Sequence, residues 1–110
     1  MQIDTTVHGD HVVVRCEGRL TMVAAPSLRS TVENCVAEGH PRVVVDLSPT
    51  TFVDSSGLGA LVNGLKATRV AGGDLRIAGA PEQVRSVLQL TNLDRVLKPY
   101  ADVGEATDGW

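Results

Sequence analysis

The sequence predicts a single α/β domain over residues 1–110, with a mixed, mostly parallel sheet, an N-terminal β-hairpin and three to four helices. Three observations predict it. Two segments near the N-terminus alternate apolar and polar residues across a turn signal. After them, stretches of helical period alternate with short apolar runs. One of those runs, "RVVVDL" (42–47), is apolar at its centre without alternation, which suits a strand covered on both faces. Strand–helix–strand alternation calls for right-handed crossovers and parallel pairing. A chain of 110 residues has room for one domain. It can bury a core without disulfides or metal.

The elements follow in order. Ile3, Thr5 and Val7 alternate with Gln2, Asp4 and Thr6, the pattern of a half-buried strand. "HGD" (8–10) marks a turn, with Gly9 free to take positive φ. "HVVVRCEG" (11–18) alternates again and completes the hairpin. From Val23 to Glu38 the period becomes helical. Leu28, Val32, Cys35 and Val36 share a face, Pro26 lies in the first turn, and Gly39 supplies the stop. "RVVVDL" is the next strand and "SPTTF" reads as a turn. Leu58, Leu61, Val62 and Leu65 define a second helix, which ends at "AGGD". "DLRIAG" (74–79) is a strand. Val84, Val87, Leu88 and Thr91 mark a third helix after Pro81 and Glu82. "RVLKPY" reads as a short last strand and "YADVGEA" as a weak terminal helix.

Composition excludes several functions. Hydrophobic residues make up 43%, charged residues 21% and aromatics 3%, so the core must be aliphatic. The formal net charge is −3, and no basic stripe with interleaved aromatics is present, which argues against a nucleic-acid partner. The N-terminal "MQIDTTVHGD" has no apolar stretch of the signal-peptide kind, and no run reaches the length of a membrane span. The expectation is a cytoplasmic protein without direct membrane contact. Cys16 lies at strand spacing after Val12 and Val14, and Cys35 lies on the stripe of Leu28 and Val32. Both read as free core thiols, with a redox-sensitive pair as the alternative. His8, His11 and His40 stand near turns without metal-ligand spacing, and neither HExxH nor CxxC occurs. The sequence lacks the phosphate-loop and dinucleotide fingerprints and the nucleophile elbow. The reading is a non-enzyme without cofactor or metal.

The most informative stretch is "FVDSSGLGALV" (52–62), where two serines and two glycines stand at a helix start. Asp54 or Ser55 can cap the helix by accepting first-turn N–H groups. Capping does not account for Ser56, Gly57 and Gly59, because each glycine in a helix costs about 1 kcal/mol relative to alanine. The second reading is an anion or phosphorylation site, since a helix N-terminus favours negative charge. From the residues alone both readings stand.

The stretch "VVVDLSPTTFVDSSGLGAL" resembles the central motif of STAS domains, particularly bacterial anti-sigma-factor antagonists. The resemblance extends to "CEGRLTMVAAPSLR" before it and "DLRIAGAPEQVRSVLQLTNLDRVL" after it. It implies a STAS-like fold and a partner-switching function. The unphosphorylated protein would bind an anti-sigma factor that is a serine kinase, freeing the sigma factor. Phosphorylation on the second serine of the motif, here Ser56, would release the complex, and a metal-dependent serine phosphatase would reset it. The resemblance further implies a partner surface of Asp54, Ser55, Gly57, Leu58 and Gly59, with Asp54 orienting the kinase-facing loop and the glycines keeping that surface flat. Many relatives carry an acidic residue in the loop before the first helix. This chain has Thr21 there, which alters the contact without touching Ser56. The same fold also serves as a cytoplasmic STAS subunit of membrane transporters and as a small-ligand or nucleotide sensor, and these are the alternative readings.

Overall fold

The computed structural model describes residues 1–110. Its elements are β1 (Gln2–His8), β2 (His11–Leu20), α1 (Ala25–Ala37), β3 (Arg42–Asp46), β4 (Thr50–Val53), α2 (Ser55–Val70), β5 (Asp74–Ala78), α3 (Glu82–Leu90), a 3-10 turn (Leu93–Arg95), β6 (Pro99–Tyr100) and α4 (Val103–Thr107). One six-stranded sheet runs in the order β1-β2-β3-β5-β6, with β4 added alongside β2. The β1–β2 hairpin is antiparallel and every other pairing is parallel. This is the mixed α/β architecture that the sequence predicts.

β2 organises the sheet because it changes partner along its length. Residues 12–15 pair with β3, whereas Gly18, Arg19 and Leu20 pair with β4. The register shifts between Gly18 and Arg19, where Gly18 takes φ +103°. Buried Thr50 donates its hydroxyl to the Cys16 carbonyl at 2.6 Å beside this changeover. "SPTTF", expected as a turn, therefore contributes a strand. β3 stops at Asp46 while β2 continues to Leu20, and β4 supplies the backbone partners that β2 would otherwise lack there.

The helices α1, α2 and α3 cover one face of the sheet. The core joins Val12, Val14, Val43, Val45, Leu75 and Ile77 of the strands to Leu28, Val32, Leu61, Val84 and Leu88 of the helices. At Gly64 an added Cβ would lie 2.8 Å from Leu75 Cδ1 and 3.3 Å from Val32 Cγ1, so glycine lets α2 settle against both neighbours. On the opposite face, Val44 and Ala78 pack under Ala106 of α4, flanked by Tyr100 and Trp110. The uninterrupted run Val43–Val45 thus has both faces buried. The Arg76 guanidinium stacks on Trp110 at 4.2 Å and donates to the Ala106 carbonyl at 2.9 Å, holding the C-terminal end against this face.

β1 departs from its expected half-burial. Ile3 packs against the core, but Thr5 and Val7 are exposed, Val7 to 55%. They stand opposite Val14 and Val12 and so share the helix-covered face, yet α1 leaves an open groove beside Thr5 instead of covering it. The alternation reported strand pairing without reporting cover.

Cys16 and Cys35 are free and buried. Burial, reinforced by the Asp46 carboxylate, pushes the Cys16 thiol from 9.0 up to about 12. Burial, reinforced by Glu38, also raises Cys35. The folded state therefore favours the neutral thiol. For Cys16 this contribution is complete below pH 9.0 and is lost as pH rises from 9.0 towards about 12. We expect reductant to leave the melting temperature unchanged at neutral pH. Denaturant titrations should show stability falling across that alkaline window, and alkylation of Cys16 should keep pace with unfolding. A native disulfide in intact-mass analysis would contradict this.

Candidate functional site

The site forms where β4 hands over to α2, next to the loop that leaves β2. Val53 ends β4, and its backbone is gripped from outside the sheet by the Gln83 side chain. The amide nitrogen of Gln83 donates to the Val53 carbonyl at 3.1 Å, and its oxygen accepts the Val53 N–H at 3.1 Å. This α3 residue acts as a one-residue strand on the open edge of β4 and fixes the backbone leading into Asp54.

Asp54 is the N-cap of α2. One carboxylate oxygen accepts the Gly57 N–H at 2.8 Å and the other accepts the Met22 N–H at 3.1 Å. Its own N–H donates to the Leu20 carbonyl at 3.3 Å. The same side chain thus caps the helix and ties down the Thr21–Met22 loop. Of the two capping candidates that the sequence offers, Asp54 takes the role. Neither serine hydroxyl is used for it.

Ser55 is exposed and Ser56 half-buried at the start of α2. The first turn carries no acidic residue, and the leading N–H groups of a helix have no intrahelical partner. The helix dipole therefore favours negative charge at Ser56, while the Asp54 carboxylate, which already accepts the Gly57 N–H, opposes it. Thr21 is half-buried in the neighbouring loop, where its carbonyl accepts the Ala24 and Ala25 N–H groups at 3.0 and 2.8 Å. Met22 and Val23 follow it and are 70% and 87% exposed, an apolar pair in the loop that Asp54 holds. Sequence reasoning missed this pair, together with Gln83 and Arg29. The available signal was two apolar residues placed before Pro26, outside the stripe of α1.

Two residues expected on a flat partner surface are placed elsewhere. Gly57 is buried under the end of β2. An added Cβ would overlap the Leu20 carbonyl oxygen and lie 2.9 Å from Leu20 Cγ and 3.0 Å from Val53 Cγ1. This glycine lets α2 approach β2, and it displays nothing. Leu58 is 6% exposed and belongs to the core. Gly59 does lie at the surface, half-exposed, and a Cβ there would meet only the Arg29 guanidinium at an ordinary contact distance of 3.7 Å. No group of three or more His, Cys, Asp or Glu is arranged to hold a metal ion. No helix is long and apolar enough to cross a membrane.

This architecture, a hairpin leading a parallel sheet with a serine-bearing helix start beside the β2 exit loop, is that of a STAS domain. The sequence matches the STAS domain over residues 2–106, and the chain belongs to that family. It is 31% identical to the anti-sigma-B factor antagonist of Staphylococcus epidermidis, covering 98% of this chain and 96% of that one. A Thermotoga maritima protein named as a candidate anti-sigma factor antagonist is 38% identical over 71 residues, which span 64% of this chain and 63% of the relative. A crystal structure of a Thermotoga maritima protein so named superposes with a TM-score of 0.89 at 30% identity, covering 96% of this chain and 92% of that one. The phosphorylated form of the Bacillus cell fate determinant SpoIIAA shares the fold, with a TM-score of 0.75 at 22% identity over 97% of each chain.

Replacing Asp54 by alanine should cost about 1–2 kcal/mol, because the cap and the loop tie are lost together. Asparagine should cost less, since its carbonyl oxygen still accepts one N–H while its amide faces the other. Gly57→Ala should be more damaging than any exposed substitution in the motif, by about 1–3 kcal/mol from overpacking. Urea denaturation of the three variants checks this order.

Proposed function

We propose that this chain is an anti-sigma-factor antagonist whose unphosphorylated form binds an anti-sigma factor serine kinase and thereby frees a sigma factor. Phosphorylation at Ser56 releases the complex, and a metal-dependent serine phosphatase restores the binding form. The observation that carries this reading is the placement of Ser56. It sits half-exposed on an uncharged first helical turn, beside a loop that Asp54 holds in position and that presents Met22 and Val23 to solvent. The names of the Staphylococcus and Thermotoga relatives support the same reading.

The contact surface in this reading is Ser55, Ser56 and Gly59 together with Thr21, Met22 and Val23. Asp54, Gly57 and Leu58 act on the partner indirectly, by fixing that surface. Thr21 brings no charge to it. ATP and the phosphoryl-transfer machinery belong to the kinase. This chain supplies the acceptor hydroxyl and a rigid mount for it. A phosphate on Ser56 adds nearly two negative charges. In the free domain the helix dipole favours them, by about 0.3–1 kcal/mol per charge. At an interface shaped for a hydroxyl, the same group must shed water and meet groups that do not pair with it, which costs several kcal/mol. Each 1.4 kcal/mol is about tenfold in affinity.

The expected outcomes separate the two serines. Ser56→Ala binds the kinase and is not phosphorylated. Ser56→Asp folds with near wild-type stability and binds at least about tenfold more weakly. Ser55→Ala remains a substrate. Calorimetric binding and phosphosite mapping by mass spectrometry, with circular dichroism as the folding control, check these outcomes. Stoichiometric phosphorylation of Ser56→Ala would place the switch elsewhere.

A further inference from the structure

We propose that β1 is a self-association edge, along which two copies of this chain pair antiparallel about Thr5 and extend the sheet across a two-fold axis. β1 ends the strand order and has no neighbour on its outer side. Its pairing with β2 runs without a bulge from Gln2↔Glu17 to His8↔His11. The strand "QIDTTVH" contains no proline or lysine, and Asp4 is its one acidic residue, so the edge is lightly defended. The proposal is independent of the role assigned to Ser56, which lies at the start of α2.

Hydrogen-bond parity shows which groups are free. Gly9 takes φ +60° and Asp10 a negative φ, the arrangement of a two-residue type II′ hairpin closed by His8 and His11. The closing pair exchanges both hydrogen bonds, and such pairs alternate along an antiparallel ladder. His8, Thr6, Asp4 and Gln2 therefore direct their backbone groups to β2. Ile3, Thr5 and Val7 direct theirs to solvent.

The side chains of those three residues are all β-branched, with an aliphatic one on either side of Thr5. With Thr5 against Thr5 of a second copy, Ile3 faces Val7 and Val7 faces Ile3. Each opposed pair can exchange both hydrogen bonds, so every outward backbone group from Ile3 to Val7 finds a partner. On the opposite face Asp4 meets Thr6, and Gln2 meets His8, with no like charges opposed. Shifting the axis to Asp4 would set two carboxylates against each other, which is unfavourable. Shifting it to Thr6 would leave the Ile3 groups facing the turn. The register about Thr5 also buries Val7, which is 55% exposed in the single chain. Beside Thr5 on that face lies a groove of about 310 Å³ lined by Thr5, Thr31, Asn34, Cys35 and Glu38. The incoming apolar row thus meets a recess between β1 and α1.

Sedimentation equilibrium on the full chain should show the mass rising with concentration from one chain to two. Thr5→Pro should weaken that association at least about tenfold and leave the monomer folded, because the N–H it removes faces solvent. Thr5→Cys provides a second test that does not depend on proline. Opposed Cα atoms in this register lie about 5.5 Å apart, within disulfide reach. Under oxidised glutathione Thr5→Cys should form a covalent dimer. Ile3→Cys, with its equivalents about 13 Å apart at 3.3 Å per residue, should not, and the wild type with its two buried thiols is the control. A single-chain mass up to the solubility limit overturns the proposal and leaves the edge to a different chain. Equal cross-linking of Thr5→Cys and Ile3→Cys overturns the register.

Discussion

The Asp54 side chain and backbone join two segments that are far apart in the chain, the end of β2 with its exit loop and the start of α2. One oxygen closes the first turn of α2 at Gly57, the other holds the Met22 backbone, and the neighbouring amide reaches Leu20 at the end of β2. Hydrogen bonds from backbone amides to a carboxylate are charge-assisted and stronger than those between neutral groups. The surroundings of Ser56 therefore exist only in the folded chain. A peptide carrying "DSSGLG" would have neither the neighbouring loop nor the fixed helix start.

That arrangement depends in turn on β2. β2 (His11–Leu20) is longer than β3 (Arg42–Asp46) can cover, and β4 completes it. Gly57 lets α2 close over the Leu20 carbonyl, and Gln83 fixes the far edge of β4. The motif's two glycines thus stand in different surroundings. Gly57 removes a clash with the sheet, whereas Gly59 stands at the surface where a Cβ would fit beside Arg29.

Much of this was legible from periodicity. The hairpin, the three main helices and the doubly covered strand 42–47 follow from spacing alone, and "DSSG" marked the start of α2. The misreadings share one cause. β4 is four residues long and contains two threonines, so nothing local distinguishes it from a turn. Its existence is decided by what β2 lacks at residues 18–20. Thr5 and Val7 alternate as a buried row would, but cover depends on how far α1 extends. Gly57 read as surface because burial by the Leu20 carbonyl comes from a residue 37 positions away. Met22 and Val23 escaped notice because exposed apolar residues carry no periodic signature.

The scarcity of aromatic rings has an optical consequence. The chain contains one tryptophan, one tyrosine and one phenylalanine. Trp110 is the final residue, stacked on Arg76 with the His11 ring 6.3 Å away. Its emission therefore reports the seating of the C-terminal end on the outer face of the sheet. The aliphatic core between the sheet and α1–α3 has no fluorophore of its own, and neither has the Ser56 loop. Circular dichroism follows the whole backbone, whereas Trp110 fluorescence follows one local contact. Divergence between the two signals would measure fraying of that end against an intact domain. A fluorescent reporter of the loop has to be introduced, and exposed Val23, next to the Met22 that Asp54 holds and outside the core, offers the place for it.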